Sequence, residues 1–169
     1  MKALTRPWPR GVAALALVAT CVAVAAGTGS AAATATLPNP CTLLVKVHPE
    51  HTLTRRGKRL VGVGRHKLAR YGTGKQASST CSETIGAVPV YLSVSLAAPG
   101  GFGGVAVTST THPAGLGSND MLVIGKSPTG GPVDFIAFHS ATVYASLSAN
   151  GATPASLTTL ARQVYKLLH

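Results

Sequence analysis

The segment from Val88 to Leu96 alternates between apolar and polar side chains, and this pattern restricts the fold more than any other feature of the chain. Aliphatic residues occupy the even positions from 88 to 96, whereas Tyr91, Ser93 and Ser95 lie between them. Alternation with a period of two is typical of a β-strand that is covered on one side only. The pattern therefore predicts an antiparallel sheet with one apolar face, which a second layer must cover.

A C-terminal helix can supply that second layer. Thr153 is suited to cap a helix whose first residue is Pro154. The polar residues Arg162, Gln163 and Lys166 are predicted to face solvent. The apolar residues recur at spacings of three and four, and they are Leu157, Leu160, Ala161, Val164, Leu167 and Leu168. This apolar stripe predicts that the helix packs against the sheet.

Further strands are indicated in the second half of the chain. The glycine-rich turn after Val88–Leu96 predicts that Val105–Thr110 runs back beside it as a hairpin partner. Met121–Ile124 is predicted as a short strand, and Val133–His139 with Thr142–Ala149 as a second hairpin. The fold class is therefore α+β in two layers, an antiparallel sheet of about four to six strands packed against a C-terminal helix.

The first half has weaker local signals. Cys41–Val47 is predicted to form a short helix that is interrupted near Pro49, where a second helical turn can begin. Arg59–Arg65, in which valines alternate with glycines and a leucine, is predicted as an edge strand. Tyr71–Ser79 is predicted as a loop from its composition.

The first thirty-five residues are typical of an export signal. Met1–Arg10 carries three basic residues, Gly11–Ala26 is uncharged and mainly apolar, and Ala33 and Ala35 are small residues at the positions that a signal peptidase reads. A sixteen-residue apolar stretch is short for a membrane span, which needs about twenty residues. We expect residues 1–35 to be a signal peptide and residues 36–169 to be a single secreted domain that starts at Thr36.

Lipidation at Cys21 is the alternative to free secretion. Val18–Cys21 resembles the site at which bacterial lipoproteins are cut and acylated, which would anchor the protein to the outer face of the cell membrane. Thr20 is larger than the small residue usual before that cysteine, and the apolar run continues past it. The sequence therefore favours the free secreted form.

Two cysteines, Cys41 and Cys81, remain after removal of the signal. An even pair in an exported chain is most simply explained by one disulfide. Closure of a loop of about forty residues would contribute on the order of 4 kcal/mol in the chain-entropy model. A zinc site needs more ligands, and reactive-thiol chemistry needs an activating neighbour, so neither is indicated.

The positive charge is concentrated inside this disulfide loop. The formal charge of the full chain is +11, and twelve basic and four acidic residues remain after residue 35. Residues 46–75 contain nine Lys or Arg and one acidic residue, Glu50. The candidate anion-binding residues in this basic segment are Arg55, Arg56, Lys58, Arg59, Arg65, Lys67 and Arg70.

A basic segment of this kind predicts attachment to a polyanion, such as an anionic envelope polymer or lipid head groups. Sequence-specific nucleic-acid recognition is not indicated, because Tyr71 is the only aromatic residue close to the cluster. The alternative interpretation is a solvated surface that only keeps the protein soluble.

Motifs for catalysis and cofactor binding are missing from the sequence. No Gly-x-Ser-x-Gly motif occurs. Gly72–Gln76 resembles a phosphate-binding loop, but Ala69 replaces its first glycine and Gln76 replaces the Ser or Thr that would hold magnesium. The four carboxylates are scattered over different segments. We therefore expect no enzymatic activity and no cofactor.

The histidines do not indicate a metal site or a catalytic site. His48 and His51 are three residues apart, but Pro49 lies between them and no nearby Asp, Glu or Cys is expected to complete a ligand set, so we expect a solvated pair and no bound metal. His139 and Asp134 lie on one predicted hairpin arm and could belong to a Ser-His-Asp site. Such triples are frequent in serine-rich chains, and we expect no catalytic role.

Several short motifs, in order along the mature chain, resemble one family. Pro40–Leu44 reads Pro-Cys-Thr-Leu-Leu, a second cysteine follows forty residues later, residues 115–118 read Gly-Leu-Gly-Ser, and the last helix contains Leu-Ala-Arg-Gln-Val. This order is similar to that of exported actinobacterial lipoproteins and secreted proteins of unknown function that open with Pro-Cys-x-Leu-Leu. The resemblance implies an envelope location, a Cys41–Cys81 bridge and no established catalytic residues. Basic residues and Pro49 replace the acidic, alanine-rich helix usual in that family.

The sequence as a whole predicts a non-enzymatic, exported cell-envelope domain that binds an anionic partner through its basic segment. The alternative is a small secreted enzyme or enzyme inhibitor whose site the sequence does not reveal.

Overall fold

The computed structural model describes residues 36–98, 105–117, 120–140 and 142–169, which belong to one compact unit. The predicted signal segment 1–35, with the lipidation candidate Cys21, lies outside the described residues. The helices and strands are α1 (Pro40–Val47), α2 (Pro49–Thr52), β1 (Thr54–Arg55), β2 (Lys58–Arg59), β3 (Lys67–Tyr71), β4 (Ser78–Ile85), β5 (Val88–Ser95), β6 (Ala106–Thr111), β7 (Met121–Lys126), β8 (Pro132–Ser140), β9 (Val143–Ala149) and α3 (Pro154–Leu168).

Seven strands form one antiparallel sheet in the order β3-β4-β5-β9-β8-β7-β6, and β1 and β2 form a separate small hairpin. Helix α1 packs on β4 and β5, helix α3 packs on β8 and β9, and the two helices contact each other. The predicted α+β class with two layers is confirmed. The sheet has seven strands, where the sequence indicated about four to six.

The apolar positions of β5 lie at the centre of the core, as their alternation predicts. Val88, Val90, Leu92 and Val94 are fully buried. The intervening Tyr91 is exposed on the other side of the sheet. Burial of one aliphatic side chain stabilises a fold by about 1.5–3 kcal/mol, so this strand is a main source of the free energy that holds helices and sheet together.

Helix α3 begins as predicted. The Thr153 hydroxyl accepts a hydrogen bond from the backbone nitrogen of Ser156 at 3.4 Å, and Pro154 occupies the first helical position. Leu160 and Val164 are fully buried, whereas Leu167 is 44% exposed. Leu167 was expected to lie on the buried stripe. At about 100° per residue it lies only about 20° from the direction of the fully buried Leu160, so its exposure comes from its place in the last turn and not from its direction.

The expected pairing of β5 with Val105–Thr110 is wrong. Strand β6 pairs with β7 at the far edge of the sheet, and β9 lies beside β5 instead. All six residues of β6 are exposed, so this strand could not fill a central position. Strand β9 supplies Val143, Ala145, Leu147 and Ala149, whose alternation matches the buried face of β5. The later hairpin of β8 and β9 is confirmed.

The first half contains the two short helices that the sequence predicts. Helix α1 ends before His48, whose left-handed backbone (φ 47°) lets Pro49 start α2 in a new direction. The expected edge strand Arg59–Arg65 forms only in part, because Val63 makes one bridge to Ile85 and regular pairing starts at Lys67. The loop expected over Tyr71–Ser79 is shorter, because β3 ends at Tyr71 and β4 begins at Ser78.

The predicted disulfide joins these helices to the sheet. Cys41 lies at the start of α1 and Cys81 lies in the middle of β4, and their Sγ atoms are 1.99 Å apart. Cys81 is fully buried. The bond therefore holds α1 over β4. Among the described residues, no helix has the length and apolar character needed to cross a membrane.

Candidate functional site

All seven predicted anion-binding residues are exposed. Four of them belong to the β1–β2 hairpin, one precedes β3, and two lie on β3, which is an edge strand of the main sheet. We call this set the basic surface, and it consists of Arg55, Arg56, Lys58, Arg59, Arg65, Lys67 and Arg70.

The β1–β2 hairpin brings four of these cations to one tip. Arg55 pairs with Lys58, and Arg56 and Gly57 form a two-residue turn with φ angles of 50° and 76°. Two left-handed residues in sequence are typical of the tight type I′ turn. The turn therefore concentrates four basic side chains within five residues.

The base of the hairpin is fixed to the start of α3. The Thr54 hydroxyl lies 2.9 Å from the Thr153 hydroxyl, and the Thr54 carbonyl accepts from the Thr153 backbone nitrogen at 2.8 Å. The Thr54 nitrogen also donates to the Ser156 hydroxyl at 3.3 Å. These contacts attach the cationic tip to the helical layer, so its direction from the domain is set by the fold.

The other three cations do not share one face with each other. Lys67 is opposite Ser82 in the register of β3 and β4, and Arg70 is opposite Ser79. Because side chains alternate along a strand, Lys67 and Arg70 project from opposite faces of the sheet. The hairpin is therefore the compact part of the basic surface, and β3 extends it along the sheet edge.

The positive charge of this surface is not neutralised within the described part of the chain. Every ion pair found there involves a histidine, and no Lys or Arg forms one. Three of the four carboxylates, those of Glu83, Asp120 and Asp134, are buried. The exposed cations are thus available to an external anion.

A second candidate surface is the sheet face opposite the helices. It contains two open cavities of about 490 and 350 Å³ that share Ser93 and Ser146 in their linings. Thr80 and Ser93 hydrogen-bond to each other there at 2.8 Å. No charged side chain is among the residues that line either cavity, but the same face carries His139, whose ring centroid lies 4.4 Å from that of Tyr144, a residue of the first lining.

A cluster of histidines and carboxylates lies where α1, α2 and β4 meet. The Oε1 atom of Glu50 lies 3.2 Å from Nδ1 of His48 and 3.8 Å from Nε2 of His51. The two imidazole rings stack with their centroids 5.4 Å apart. The expectation that no carboxylate completes the His48–His51 pair is therefore wrong. Because Pro49 starts α2 after the left-handed His48, both rings turn toward Glu50.

Glu83 is the buried member of this cluster. Its side chain is 1% exposed, and its Oε2 atom lies 2.6 Å from Nδ1 of His66. Neither carboxylate oxygen has a hydrogen bond of good geometry among the described residues. Burial has the largest effect and raises the pKa of Glu83, the neighbouring His66 lowers it, and the negative charge of Glu50 raises it. Burial thus outweighs the nearby imidazole, and the pKa of Glu83 lies above its ordinary value.

Within the described residues, the Asp134–His139 pair suggested by the sequence is not assembled. Asp134 and His139 lie on opposite faces of β8, because they are an odd number of residues apart. The Asp134 carboxylate accepts a hydrogen bond from the Gly151 backbone, and burial raises its pKa. Ser140 does meet an imidazole, that of His169 at 2.7 Å, but Ser140 is fully buried and a substrate cannot reach it.

Comparisons with known proteins give no relative for this chain, because no family model, no curated protein and no solved structure matches it.

Glu83 and His66 are not among the site residues that the sequence predicts. One signal was present, since Ser79, Cys81, Glu83 and Ile85 occupy alternate positions of β4. If Cys81 is bonded in the core, the same alternation puts Glu83 on the buried face. A buried glutamate needs a partner, and a histidine in the neighbouring strand segment is a suitable one.

Proposed function

We propose that this protein is a non-enzymatic domain of the cell envelope that binds a phosphate-rich anionic polymer through the basic surface. The observation that carries the proposal is the β1–β2 hairpin, which presents four exposed cations without a carboxylate partner among the described residues. A solubilising surface needs dispersed charge, whereas this hairpin concentrates it at one rigid tip.

Arginine makes up three of the four cations on the hairpin, namely Arg55, Arg56 and Arg59. A guanidinium group can donate two parallel hydrogen bonds to one phosphate or carboxylate, whereas a lysine ammonium acts as a point charge. This arginine-rich composition is therefore better suited to direct contacts with individual oxyanions than to a diffuse electrostatic attraction. Arg65, Lys67 and Arg70 would extend the contact to further charges of the same polymer.

An extracellular location is part of this proposal. The Cys41–Cys81 disulfide is compatible with an oxidising compartment. The basic N-terminal residues, the apolar run and the small residues at positions 33 and 35 support export. The resemblance to exported actinobacterial proteins that open with Pro-Cys-x-Leu-Leu supports an envelope location.

The processed protein is expected to begin at Thr36 and to carry no lipid. Ala33 and Ala35 suit signal peptidase, whereas Thr20 before Cys21 suits the lipoprotein enzyme poorly. The intact mass of the secreted protein measures this directly. A species that begins at Cys21 and carries acyl chains would show that the protein is membrane-anchored instead.

The basic surface is expected to determine how binding depends on salt. Replacing Arg56, Lys58 and Arg59 together by Gln should reduce the slope of log affinity against log salt concentration, measured on phosphocellulose, by up to about three. Each phosphate contact that is lost no longer releases its counterion on binding. Arg55 is left unchanged because its guanidinium lies near Gly151. Thermal stability should change little, since exposed charges contribute little to folding.

A matched control removes the same number of charges elsewhere. Lys75, Lys126 and Lys166 are exposed and can be replaced together by Gln. Arg162 is kept, because its Nε donates to the Ala114 carbonyl at 2.9 Å. The control should retain most of the original slope. Equal loss in both variants would show that binding follows net charge alone and would contradict a defined surface.

A further inference from the structure

We propose that His48, Glu50 and His51 bind one divalent transition-metal ion of the zinc class, beside a cavity in which Glu83 supplies a second negative charge. The residues of this site are different from those of the basic surface, so the proposal does not rest on polyanion binding. Neither its ligands nor its metal follow from the proposed function.

The distances within the cluster fit a small tetrahedral ion. Zinc lies about 2.0–2.1 Å from imidazole nitrogen and carboxylate oxygen, so two ligand atoms of a tetrahedral site are roughly 3.3 Å apart. The Glu50 Oε1 atom is 3.2 Å from His48 Nδ1 and 3.8 Å from His51 Nε2. One ligand atom from each of the three residues lies within 4.8 Å of the other two. Small side-chain rotations would therefore bring all three to bonding distance.

The local backbone is what makes this arrangement. His48 adopts a left-handed conformation between α1 and α2, and Glu50 and His51 lie on the single turn of α2. The two rings stack with an interplanar angle of 18°. Both imidazoles are more than half exposed, so an ion can enter from solvent and water can occupy a fourth coordination position.

Glu83 gives the second, independent indication of a cation. A cavity of about 120 Å³ is lined by His48, Glu50, His66 and Glu83 among other residues. The Glu83 carboxylate is buried there, and neither of its oxygens has a hydrogen bond of good geometry among the described residues. Two carboxylates next to one cavity repel each other, and a bound dication would compensate both.

His66 is placed to support the buried carboxylate. Its Nδ1 atom lies 2.6 Å from Glu83 Oε2. Carboxylate–imidazole pairs of this kind commonly surround metal ligands and orient them. We assign Glu83 a charge-balancing role, because its oxygens form an ion pair with His66 and none with His48 or His51.

The donor set selects the class of ion. Two imidazole nitrogens and a carboxylate oxygen suit zinc, nickel or copper, whereas calcium and magnesium prefer six or more oxygen ligands. Zinc is therefore the appropriate probe, and calcium is the appropriate negative control.

The test is calorimetric titration of the secreted protein, purified without a histidine tag, with zinc chloride at pH 7.5. One zinc per chain should bind, and calcium should not compete. Glu50→Gln and His51→Gln should each weaken zinc binding at least tenfold. His48→Asn should do the same, and asparagine also tolerates the left-handed backbone. Failure to observe one-site binding would overturn the proposal.

Two further variants separate this site from general histidine binding. His112→Asn removes an exposed histidine elsewhere and should leave zinc affinity within twofold. Glu83→Gln should weaken binding about tenfold, because it removes a nearby negative charge that attracts the dication. Unchanged affinity in the His48→Asn, His51→Gln double variant would refute the site. Unchanged affinity in Glu83→Gln would refute the role of the buried carboxylate.

The salt dependence of polyanion binding gives an independent readout. The salt slope on phosphocellulose should be the same in His51→Gln and in the unaltered protein. Loss of zinc binding with an unchanged salt slope would support the metal site, whatever the result for the basic surface.

Discussion

Removal of the Cys41–Cys81 disulfide is expected to lower the free energy of unfolding by about 2–5 kcal/mol. The bond closes a loop with a sequence separation of 40 residues, for which chain entropy alone contributes on the order of 4 kcal/mol. That loop contains α1, α2, the basic hairpin and β3. Without the bond, this whole segment gains conformational freedom in the unfolded state, while Cys81 remains in a fully buried position.

The measurement is urea unfolding of the Cys41→Ala, Cys81→Ala double variant. Alanine is preferred to serine at position 81, because a buried hydroxyl without a partner would add its own cost. The unaltered protein under reducing conditions provides the matched control and should lose a similar amount. If oxidised and reduced proteins unfold at the same urea concentration, the bond does not stabilise the fold.

The disulfide also separates the two proposals about function. The basic hairpin is held by its contacts with Thr153 and Ser156 at the start of α3, whereas the histidine cluster lies directly after α1, the helix that the bond attaches to β4. Reduction should therefore affect zinc binding more than polyanion binding. This difference follows from which secondary-structure elements each site rests on.

The second half of the fold could be predicted because its signals are local. Alternating aliphatic residues in β5 and β9, and a capped amphipathic helix after Thr153, each specify their own structure. Which strand lies beside β5 cannot be predicted from local sequence. A turn rich in glycine indicates where the chain reverses, but the burial pattern of the whole strand decides which partner fits, and exposed β6 went to an edge.

Strand β4 was missed because half of its buried face is polar. Ser79 and Glu83 alternate with Cys81 and Ile85 on that side. Their burial depends on helix α1, the disulfide and His66, which come from distant parts of the sequence. When polar side chains on the buried face of a strand depend on tertiary partners, the sequence of that strand shows no clear hydrophobic period.

The two candidate sites also differ in how far they can be predicted from the sequence. Charge is a property of composition, so the basic surface could be located from the sequence, and the structure added that four of its residues share one hairpin tip. The histidine cluster depends on one dihedral angle. The sequence position of Pro49 separates His48 from His51. The left-handed backbone of His48 nevertheless turns its ring toward Glu50 and His51.

Helix α3 provides the second large effect. Leu160→Ala is expected to lower the free energy of unfolding by about 2–5 kcal/mol, because the side chain is fully buried in the core between helix and sheet. The loss combines the removed apolar surface with the cavity left behind, since neighbouring strands cannot collapse fully into the space. Urea unfolding measures this loss, and the dependence of the free energy of unfolding on urea concentration should be the same in both proteins.

Leu167→Ala is the matched control, because it makes the same chemical change seven residues later in the same helix. Leu167 is 44% exposed in the last turn of the helix, so its replacement should cost less than about 1 kcal/mol. Helix propensity cannot explain the difference, since both variants exchange leucine for alanine within α3. Similar losses at both positions would mean that the last turn is covered as well, and that α3 lies on the sheet along its whole length.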